Sequence, residues 1–208
     1  MPTLLVVNSS PFLETSVSRG LTSEYVENWK KANPTGKVIT RDLAASSLKT
    51  IDAAWVGAAY TPKDARSAEQ KEALALSETL LAELRAADEY VFGVPMHNFS
   101  VPAVLKLWID QIARVGRTFS YGERGPKGLI IGKKATFIIA TGGIYDAQTQ
   151  MASFNFVEPY LRSVFGFLGV TDATFLTAGG TSALNQGQDR NTFLAPHLQF
   201  VQTHAQTF

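Results

Sequence analysis

Short apolar runs alternate with amphipathic stretches along the whole chain. Leu4 to Val7 and Phe137 to Ala140 are apolar at every position, which is typical of strands that are covered on both faces of a sheet. This pattern predicts five strands. They lie near residues 3–8, 37–42, 88–94, 134–140 and 171–177.

Five amphipathic stretches carry apolar residues at helical spacing, and we predict a helix for each. The second follows the capping box Ser67-Ala68-Glu69-Gln70, the third follows Pro102, and the fourth follows Pro159 and ends at Gly169. The apolar stripes are Leu21, Tyr25 and Trp29; Leu74, Ser77, Leu81 and Leu84; Leu105, Trp108, Ile109 and Ile112; Tyr160, Val164, Phe167 and Leu168; and Leu194, Leu198, Val201 and Ala205.

The alternation of strands and helices predicts a parallel sheet with helices on both faces. We therefore predict an α/β fold, a flavodoxin-like three-layer sandwich with a five-stranded parallel sheet in the order 2-1-3-4-5. No repeat, low-complexity tract or charge block divides the 208 residues, so we expect a single domain over residues 1–208. Two long connections, Leu43 to Arg66 and Arg117 to Gly132, are expected to be functional or interfacial.

Composition excludes several classes of function. Nineteen basic residues against 18 acidic ones give a net charge of +1, so neither nucleic acid nor a membrane surface is an expected partner. The absence of cysteine excludes disulfides and a cysteine nucleophile, and it fits a cytoplasmic location. The histidines His97, His197 and His204 have no metal-ligand pattern, so no metal site is expected.

Three loops carry the candidate chemistry, because the predicted strand order places the ends of strands one, three and four side by side. After strand one, Ser10 and Ser16-Val17-Ser18 present hydroxyls and helix amides to an anion. After strand three, Pro95 to Phe99 ends a buried strand abruptly and would leave several backbone amides free to meet a flat ring. After strand four, the glycines of Ala140-Thr141-Gly142-Gly143 allow close approach of a ligand or positive φ.

Each loop also has a plainer interpretation, as a helix cap or a turn. The first loop contains no glycine, and neither a dinucleotide fingerprint nor a Walker loop occurs in the chain. A single phosphate therefore fits better than a pyrophosphate. Together the three loops match the length of a mononucleotide such as FMN.

Further motifs accompany these loops along the chain. They are Arg41-Asp42-Leu43-Ala44, Glu72-Ala73-Leu74-Ala75-Leu76-Ser77, Thr118-Phe119-Ser120-Tyr121, Gly128 with Gly132-Lys133-Lys134, Pro159-Tyr160-Leu161, and Gly166-Phe167-Leu168-Gly169-Val170-Thr171-Asp172. With this collinear set, the chain resembles the FMN-dependent NADH-azoreductase family, the flavodoxin-like NAD(P)H:quinone oxidoreductases, essentially from end to end.

The resemblance implies roles for individual residues. Ser10, Ser16, Val17 and Ser18 would hold the FMN phosphate, Met96, His97, Asn98 and Phe99 would line the isoalloxazine ring, and Ala140, Thr141, Gly142 and Gly143 would flank its other polar edge. The family typically forms homodimers with flavin pockets at the subunit interface, so Phe99 and Tyr121 are expected to line the substrate site.

The same resemblance implies two-electron hydride transfer from NADH or NADPH through FMN to quinones and azo compounds. The absence of a second nucleotide fingerprint predicts a ping-pong order, in which the nicotinamide and the acceptor take turns over the same ring face. No catalytic side chain is required, because the cofactor carries the chemistry. Two positions depart from the family, which often has tyrosine in place of His97 and serine-arginine in place of Ala140-Thr141. His97 either fills the space of that tyrosine, supplies a proton, or is neutral in effect.

Other functions stay open on the sequence alone. A flavodoxin-like electron carrier usually needs an acidic docking face, and a non-catalytic flavin-binding sensor would bind FMN without oxidising NAD(P)H. A hydrolase built on Ser10 and His97 lacks a Gly-x-Ser-x-Gly elbow. The segment from Arg114 to Lys134 is either a second phosphate-binding region or a solvated loop. Its cations are Arg114, Arg117, Arg124, Lys127, Lys133 and Lys134.

Overall fold

The computed structural model describes residues 1–123 and 125–205. A five-stranded parallel sheet lies at its centre, with the order β2-β1-β3-β6-β7. Its strands are β1 (Thr3–Asn8), β2 (Lys37–Asp42), β3 (Glu89–Pro95), β6 (Lys134–Ala140) and β7 (Asp172–Ala178). The predicted order 2-1-3-4-5 is confirmed, because β4 (Phe119–Gly122) and β5 (Gly125–Gly128) form a separate antiparallel hairpin.

The burial of the strands follows their sequences. Leu4 to Val7 of β1 and the whole of β6 after Lys134 are buried, as expected for strands covered on both faces. β2 lies at an edge of the sheet and is only partly buried.

Helices cover both faces of the sheet, as predicted. One core cluster joins the sheet to helices around Leu81, Trp108 and Phe165, and the other joins it to helices around Leu21 and Val201. Eight α-helices lie among the described residues, none of them long and apolar enough to cross a membrane. They are α1 (Val17–Ala32), α2 (Ala53–Tyr60), α3 (Ala68–Ala73), α4 (Ala75–Ala86), α5 (Ala103–Ile112), α6 (Val157–Leu168), α7 (Ser182–Asn185) and α8 (Arg190–His204).

The structure divides the second predicted helix in two. The capping box is confirmed, since Ser67 Oγ accepts from the Gln70 amide at 3.2 Å and Gln70 Oε1 accepts from the Ser67 amide at 3.1 Å. The regular helix is interrupted at Leu74, which packs in a small cluster with Trp55 and Ala58 of α2. α4 instead packs on the sheet.

One more detail of the predicted helix pattern is wrong. The buried stripe of α6 is Val157, Leu161, Phe165 and Leu168, and the predicted Phe167 is 39 % exposed. Phe167 faces outward because its ring packs on Phe119 of the hairpin, with 4.7 Å between the ring centroids. The long connections contain α2, a 3-10 turn at Lys63–Ala65 and the hairpin, so they are not structureless loops.

Candidate functional site

A cavity of about 440 Å³ lies beyond the carboxyl ends of β1, β3 and β6. Its volume falls in the range of small-molecule sites. All three predicted loops contribute to it, together with a segment that follows β7. The lining residues are Ser10, Phe12, Thr15, Ser16, Val17, Pro95, Met96, His97, Ala140, Gly142, Thr181, Leu184, Asn185 and Arg190.

The loop after β1 is fixed where it leaves the strand. Ser9 donates through both its amide and its hydroxyl to the Gly93 carbonyl, at 3.0 and 2.8 Å. Arg19 donates from Nε and Nη2 to the Ser10 carbonyl at 2.9 and 2.6 Å, and it also pairs with both carboxylate oxygens of Asp42. Hydrogen bonds from Arg19 lower the pKa of Asp42, so this pair is charged at neutral pH.

The loop ends at the N-terminus of α1, which faces the cavity. Ser16 is the N-cap and accepts from the Arg19 amide at 3.3 Å, and its hydroxyl lies 3.2 Å from that of Ser18. The amides of Val17 and Ser18 lie in the first turn, where no intrahelical acceptor exists. The first turn contains no acidic residue, so the helix dipole favours an anion here. The Ser18 side chain itself is buried behind Ser16 and does not line the cavity.

The loop after β3 forms a tight turn. The Met96 amide donates to the Ala140 carbonyl at 2.8 Å, and His97 and Ser100 exchange backbone hydrogen bonds at 2.9 and 3.0 Å. Asn98 and Phe99, between them, have positive φ of 47° and 70°. Our expectation of several free amides is therefore wrong for Met96 and His97, because folding pairs them within the loop and with β6.

Phe99 is absent from the cavity lining and lies two residues beyond His97, which does line it. It belongs to a group of aromatic side chains with Phe154 and Phe156, which we call the aromatic rim. Its ring centroid is 5.2 Å from that of Phe154 and 6.3 Å from that of Tyr145. The Phe156 amide donates to the Phe99 carbonyl at 3.0 Å, which ties the turn to the segment before α6. Phe99, Phe154 and Phe156 are 40, 43 and 55 % exposed, so this rim presents apolar surface beside the cavity.

The loop after β6 brings bare backbone to the cavity. A Cβ added to Gly142 would meet no atom within 4 Å, whereas one added to Gly143 would lie 3.3 Å from the Tyr145 ring. Neither glycine has positive φ, so the positive-φ interpretation is wrong and the close-approach interpretation remains. Thr141 is buried and supports the loop, since its Oγ1 donates to the Gly143 carbonyl at 2.8 Å.

The segment after β7 completes the cavity and was missed by sequence reasoning. It contributes Thr181, Leu184, Asn185 and Arg190. The amide and hydroxyl of Ser182 both donate to the Gly142 carbonyl, at 3.2 and 2.8 Å. Only the strand order hinted at this segment, because β7 is the neighbour of β6 and its carboxyl end lies at the same edge of the sheet.

Tyr121 and the basic segment lie outside the cavity lining. Tyr121 is 70 % exposed on β4, where its ring contacts Phe119. The hairpin packs tightly on the C-terminal end of α6. A Cβ added to Gly128 would lie 2.3 Å from the Gly169 nitrogen, and the Ile130 amide, just after the hairpin, donates to the Leu168 carbonyl at 2.9 Å.

Two carboxylates pair with three of the cations in the basic segment. Glu78 Oε1 accepts from Arg114 at 3.0 Å and from Arg117 at 2.5 Å, and Arg66 lies 3.6 Å away. Arg114 is buried and also lies over the Trp55 ring. Lys133 pairs with Asp88 at 3.6 Å, and Arg124 lies outside the described residues. Arg114, Arg117 and Lys133 therefore support the fold.

Comparisons with known proteins find similar proteins that share one fold description and one activity name. A family model described as "Flavodoxin-like fold" matches residues 2–201. The FMN-dependent NADH:quinone oxidoreductase of Acidobacterium capsulatum is 57 % identical over 206 residues, which cover 99 % of this chain and 100 % of that protein. The FMN-dependent NADH:quinone oxidoreductase 3 of Burkholderia lata is 50 % identical over 199 residues, covering 95 % and 96 % of the two chains.

Solved structures are similar over their full length as well. An azoreductase from Bacillus anthracis str. Sterne has a TM-score of 0.90 at 27 % identity, covering 100 % of both chains. An FMN-dependent NADH-azoreductase from Bacillus anthracis str. Ames Ancestor, solved in complex with FMN, has a TM-score of 0.88 at 26 % identity and covers 99 % of this chain and 98 % of that one.

Proposed function

This chain belongs to the flavodoxin-like family of FMN-dependent NADH:quinone oxidoreductases, and from that membership we propose that it passes two electrons from NADH to quinones at the cavity beyond β1, β3 and β6. FMN is its cofactor and NADH its electron donor. The observation that carries the proposal is the cavity itself, which has anion-binding groups at one end and bare backbone at the other.

The chemistry of the lining fits FMN. At one end, Ser10, Ser16 and the first-turn amides of Val17 and Ser18 would hold the phosphate. At the other end, Gly142 leaves open space where any side chain would project, which suits a flat ring lying against the backbone.

The remaining assigned residues complete the ring site. Met96, His97, Asn98 and Phe99 would line the ring from the β3 side, with Asn98 and Phe99 forming the turn of that loop. Ala140, Thr141, Gly142 and Gly143 would flank it from the β6 side. Ser18 and Thr141 act through their neighbours, since their side chains contact Ser16 and the Gly143 carbonyl.

When bound, FMN supplies the acceptance and donation of two electrons, so the protein need only bind and orient the reactants. The chain has no second nucleotide fingerprint. We therefore propose that the nicotinamide and the acceptor occupy the same open side of the cavity in turn, which is a ping-pong order. The exposed ring of Phe99 at the rim suits planar acceptors, and azo compounds as well as quinones meet that requirement.

We also propose that residues 1–208 act as one flavin-binding domain and that this domain works as a homodimer. The aromatic rim of Phe99, Phe154 and Phe156 is apolar surface of the kind that a second subunit covers. Tyr121 lies outside the cavity of its own chain, so it reaches a substrate only if a second copy brings it there. Light scattering tests the dimer, and a fully active monomer would refute it.

Steady-state kinetics test the proposed function. With NADH and a quinone varied together, double-reciprocal plots should give parallel lines, and NADH added anaerobically should bleach the flavin absorbance before any acceptor is present. Intersecting lines would refute the ping-pong order. A flavin that neither NADH nor NADPH bleaches would point to the electron carrier or the sensor.

Replacing the quinone by an azo dye tests the acceptor range, and cell fractionation tests the proposed cytoplasmic location.

A further inference from the structure

Arg190 is the first residue of α8, and it lines the cavity beside the N-terminus of α1. Its Nη1 donates to the Thr15 carbonyl at 3.1 Å and its Nη2 to the Ser16 carbonyl at 3.3 Å. These bonds join residues that are 174 and 175 positions apart in the chain. Arg190 belongs to none of the motifs identified in the sequence.

We propose that Arg190 recognises the phosphate of the flavin and makes the cavity selective for FMN over riboflavin. This inference rests on the proposed function, because it assumes that the cavity binds FMN. It assigns to Arg190 the discrimination between FMN, which carries a phosphate, and riboflavin, which does not.

The distribution of charge in the cavity favours this role. Apart from the titratable His97, Arg190 is the one basic or acidic side chain in the described lining. No ion pair engages it within the described part of the chain. The neighbouring carboxylate of Asp189 accepts instead from the amide and the hydroxyl of Thr192, both at 2.8 Å. The charge of Arg190 is thus available to an anion.

The guanidinium also has donors to spare. An arginine has five N–H groups in a planar fork, and the two carbonyls of Thr15 and Ser16 occupy one on each Nη. The other N–H groups remain for a phosphate oxygen. Hydrogen bonds between a guanidinium and a phosphate are charge-assisted and are stronger than those from neutral donors such as the Ser10 and Ser16 hydroxyls.

Arg19 provides an internal comparison, because it holds the same loop without contributing net charge. It donates to the Ser10 carbonyl, and its charge is neutralised by Asp42 at 2.6 Å. Arg19 is therefore a positioning residue for the loop. Loss of Arg19 should lower the affinity for every flavin that contacts the loop, whether or not that flavin carries a phosphate.

The test measures dissociation constants for FMN and for riboflavin with wild-type apoprotein and three variants, by quenching of flavin fluorescence. In Arg190→Gln, the FMN dissociation constant should rise by about 10-fold or more, because the charge-assisted contact to the phosphate is lost. The constant for riboflavin should change by less than about 2-fold, because the glutamine amide keeps N–H donors for the Thr15 and Ser16 carbonyls. Arg190→Lys should recover part of the FMN affinity. Lys31→Gln, which removes an equal charge at the exposed far end of α1, should leave both constants unchanged.

Salt provides a second readout that does not depend on riboflavin. Raising the ionic strength should weaken FMN binding to wild type more steeply than to Arg190→Gln. Salt screens the attraction between the Arg190 charge and the phosphate, and the variant lacks that attraction. Equal losses of FMN and riboflavin affinity in Arg190→Gln, or no loss of FMN affinity, would overturn the proposal. Wild-type protein that binds neither flavin would instead overturn the proposed function.

Discussion

Two regions of this protein carry basic side chains, and they differ in whether folding pairs those side chains with carboxylates. The segment from Arg114 to Lys134 is rich in cations, yet Arg114 and Arg117 bind Glu78, and Lys133 binds Asp88. The cavity has one arginine, Arg190, and no acidic side chain in its described lining. We therefore expect anion binding to follow the donors that remain unpaired after folding rather than the number of cations in the sequence.

The two regions also use glycine differently. Gly128 lets the hairpin pack directly against the backbone at Gly169, whereas Gly142 leaves room that no protein atom fills. The close packing at Gly128 stabilises the fold, and we expect the open space at Gly142 to admit a ligand. Substitutions at these two glycines should therefore separate stability from binding.

The largest expected effect is on stability, at Gly128. In Gly128→Ala, the new Cβ would lie 2.3 Å from the Gly169 nitrogen, so the hairpin must move away from α6. We expect a loss of roughly 3 kcal/mol in the free energy of unfolding, the upper range of overpacking. Urea unfolding measures it. Gly122→Ala in the same hairpin is the control, since its Cβ would meet nothing within 4 Å; an equal loss there would refute the packing explanation.

The next effect is on binding, at Gly142. Gly142 lines the cavity, and a Cβ added there would meet no protein atom within 4 Å. In Gly142→Val we therefore expect FMN affinity to fall about 10-fold or more, as overlap with a ligand costs roughly 1–3 kcal/mol. Isothermal titration gives the affinity, and urea unfolding of the apoprotein should match wild type. A variant that loses stability but still binds FMN would mean that Gly142 serves only a turn.

A smaller loss of stability is expected at Glu78. Glu78→Gln leaves Arg114 and Arg117 without their shared carboxylate, and we expect a loss of about 1–2 kcal/mol, below the value for a fully buried pair because Glu78 is partly exposed. FMN affinity should not change. If it fell together with stability, the two regions would be coupled rather than independent.

The difference in stability between wild type and Glu78→Gln should depend on pH, because it depends on the ionisation of Glu78. Burial alone would raise the pKa of Glu78, but hydrogen bonds from Arg117 and Arg114 lower it below its ordinary 4.5. A lowered pKa in the folded state stabilises the protein above about pH 4.5, and the gain is lost as the pH falls through the folded value. The stability difference between wild type and Glu78→Gln should therefore shrink below pH 4.5.

The smallest effect is expected at His97. Its ring is exposed, and no hydrogen bond engages the ring within the described residues, so His97→Phe should change turnover with NADH and quinone by less than about 3-fold. A loss of turnover of 10-fold or more would contradict this minor role and favour the interpretation in which His97 supplies a proton.

The positions of the sheet strands and three loops of the site could be predicted because each depends on local sequence. Short apolar runs and the amphipathic stretches between them located the sheet strands to within a residue. Helix α2 was missed because its alanine-rich sequence is apolar on all sides and has no stripe to recognise. The hairpin was missed because Gly125-Pro126-Lys127-Gly128 lacks the alternation of a typical strand.

The part of the site that could not be predicted depends on contacts between distant residues. Arg190 reaches Thr15 and Ser16 only after α8 has packed against α1. The cations of the basic segment likewise find Glu78 more than 30 residues away. Sequence patterns reveal which side chains carry charge, and the fold decides which charges are neutralised.

Titration of the apoprotein with FMN tests most directly whether the cavity is the flavin site. Wild-type protein and Gly122→Ala should each take up one FMN per chain at micromolar concentration, whereas Gly142→Val should bind at least about 10-fold more weakly with an intact fold. Failure of wild type to bind FMN, a preference for FAD, or unchanged binding by Gly142→Val would contradict the assignment of FMN to this cavity.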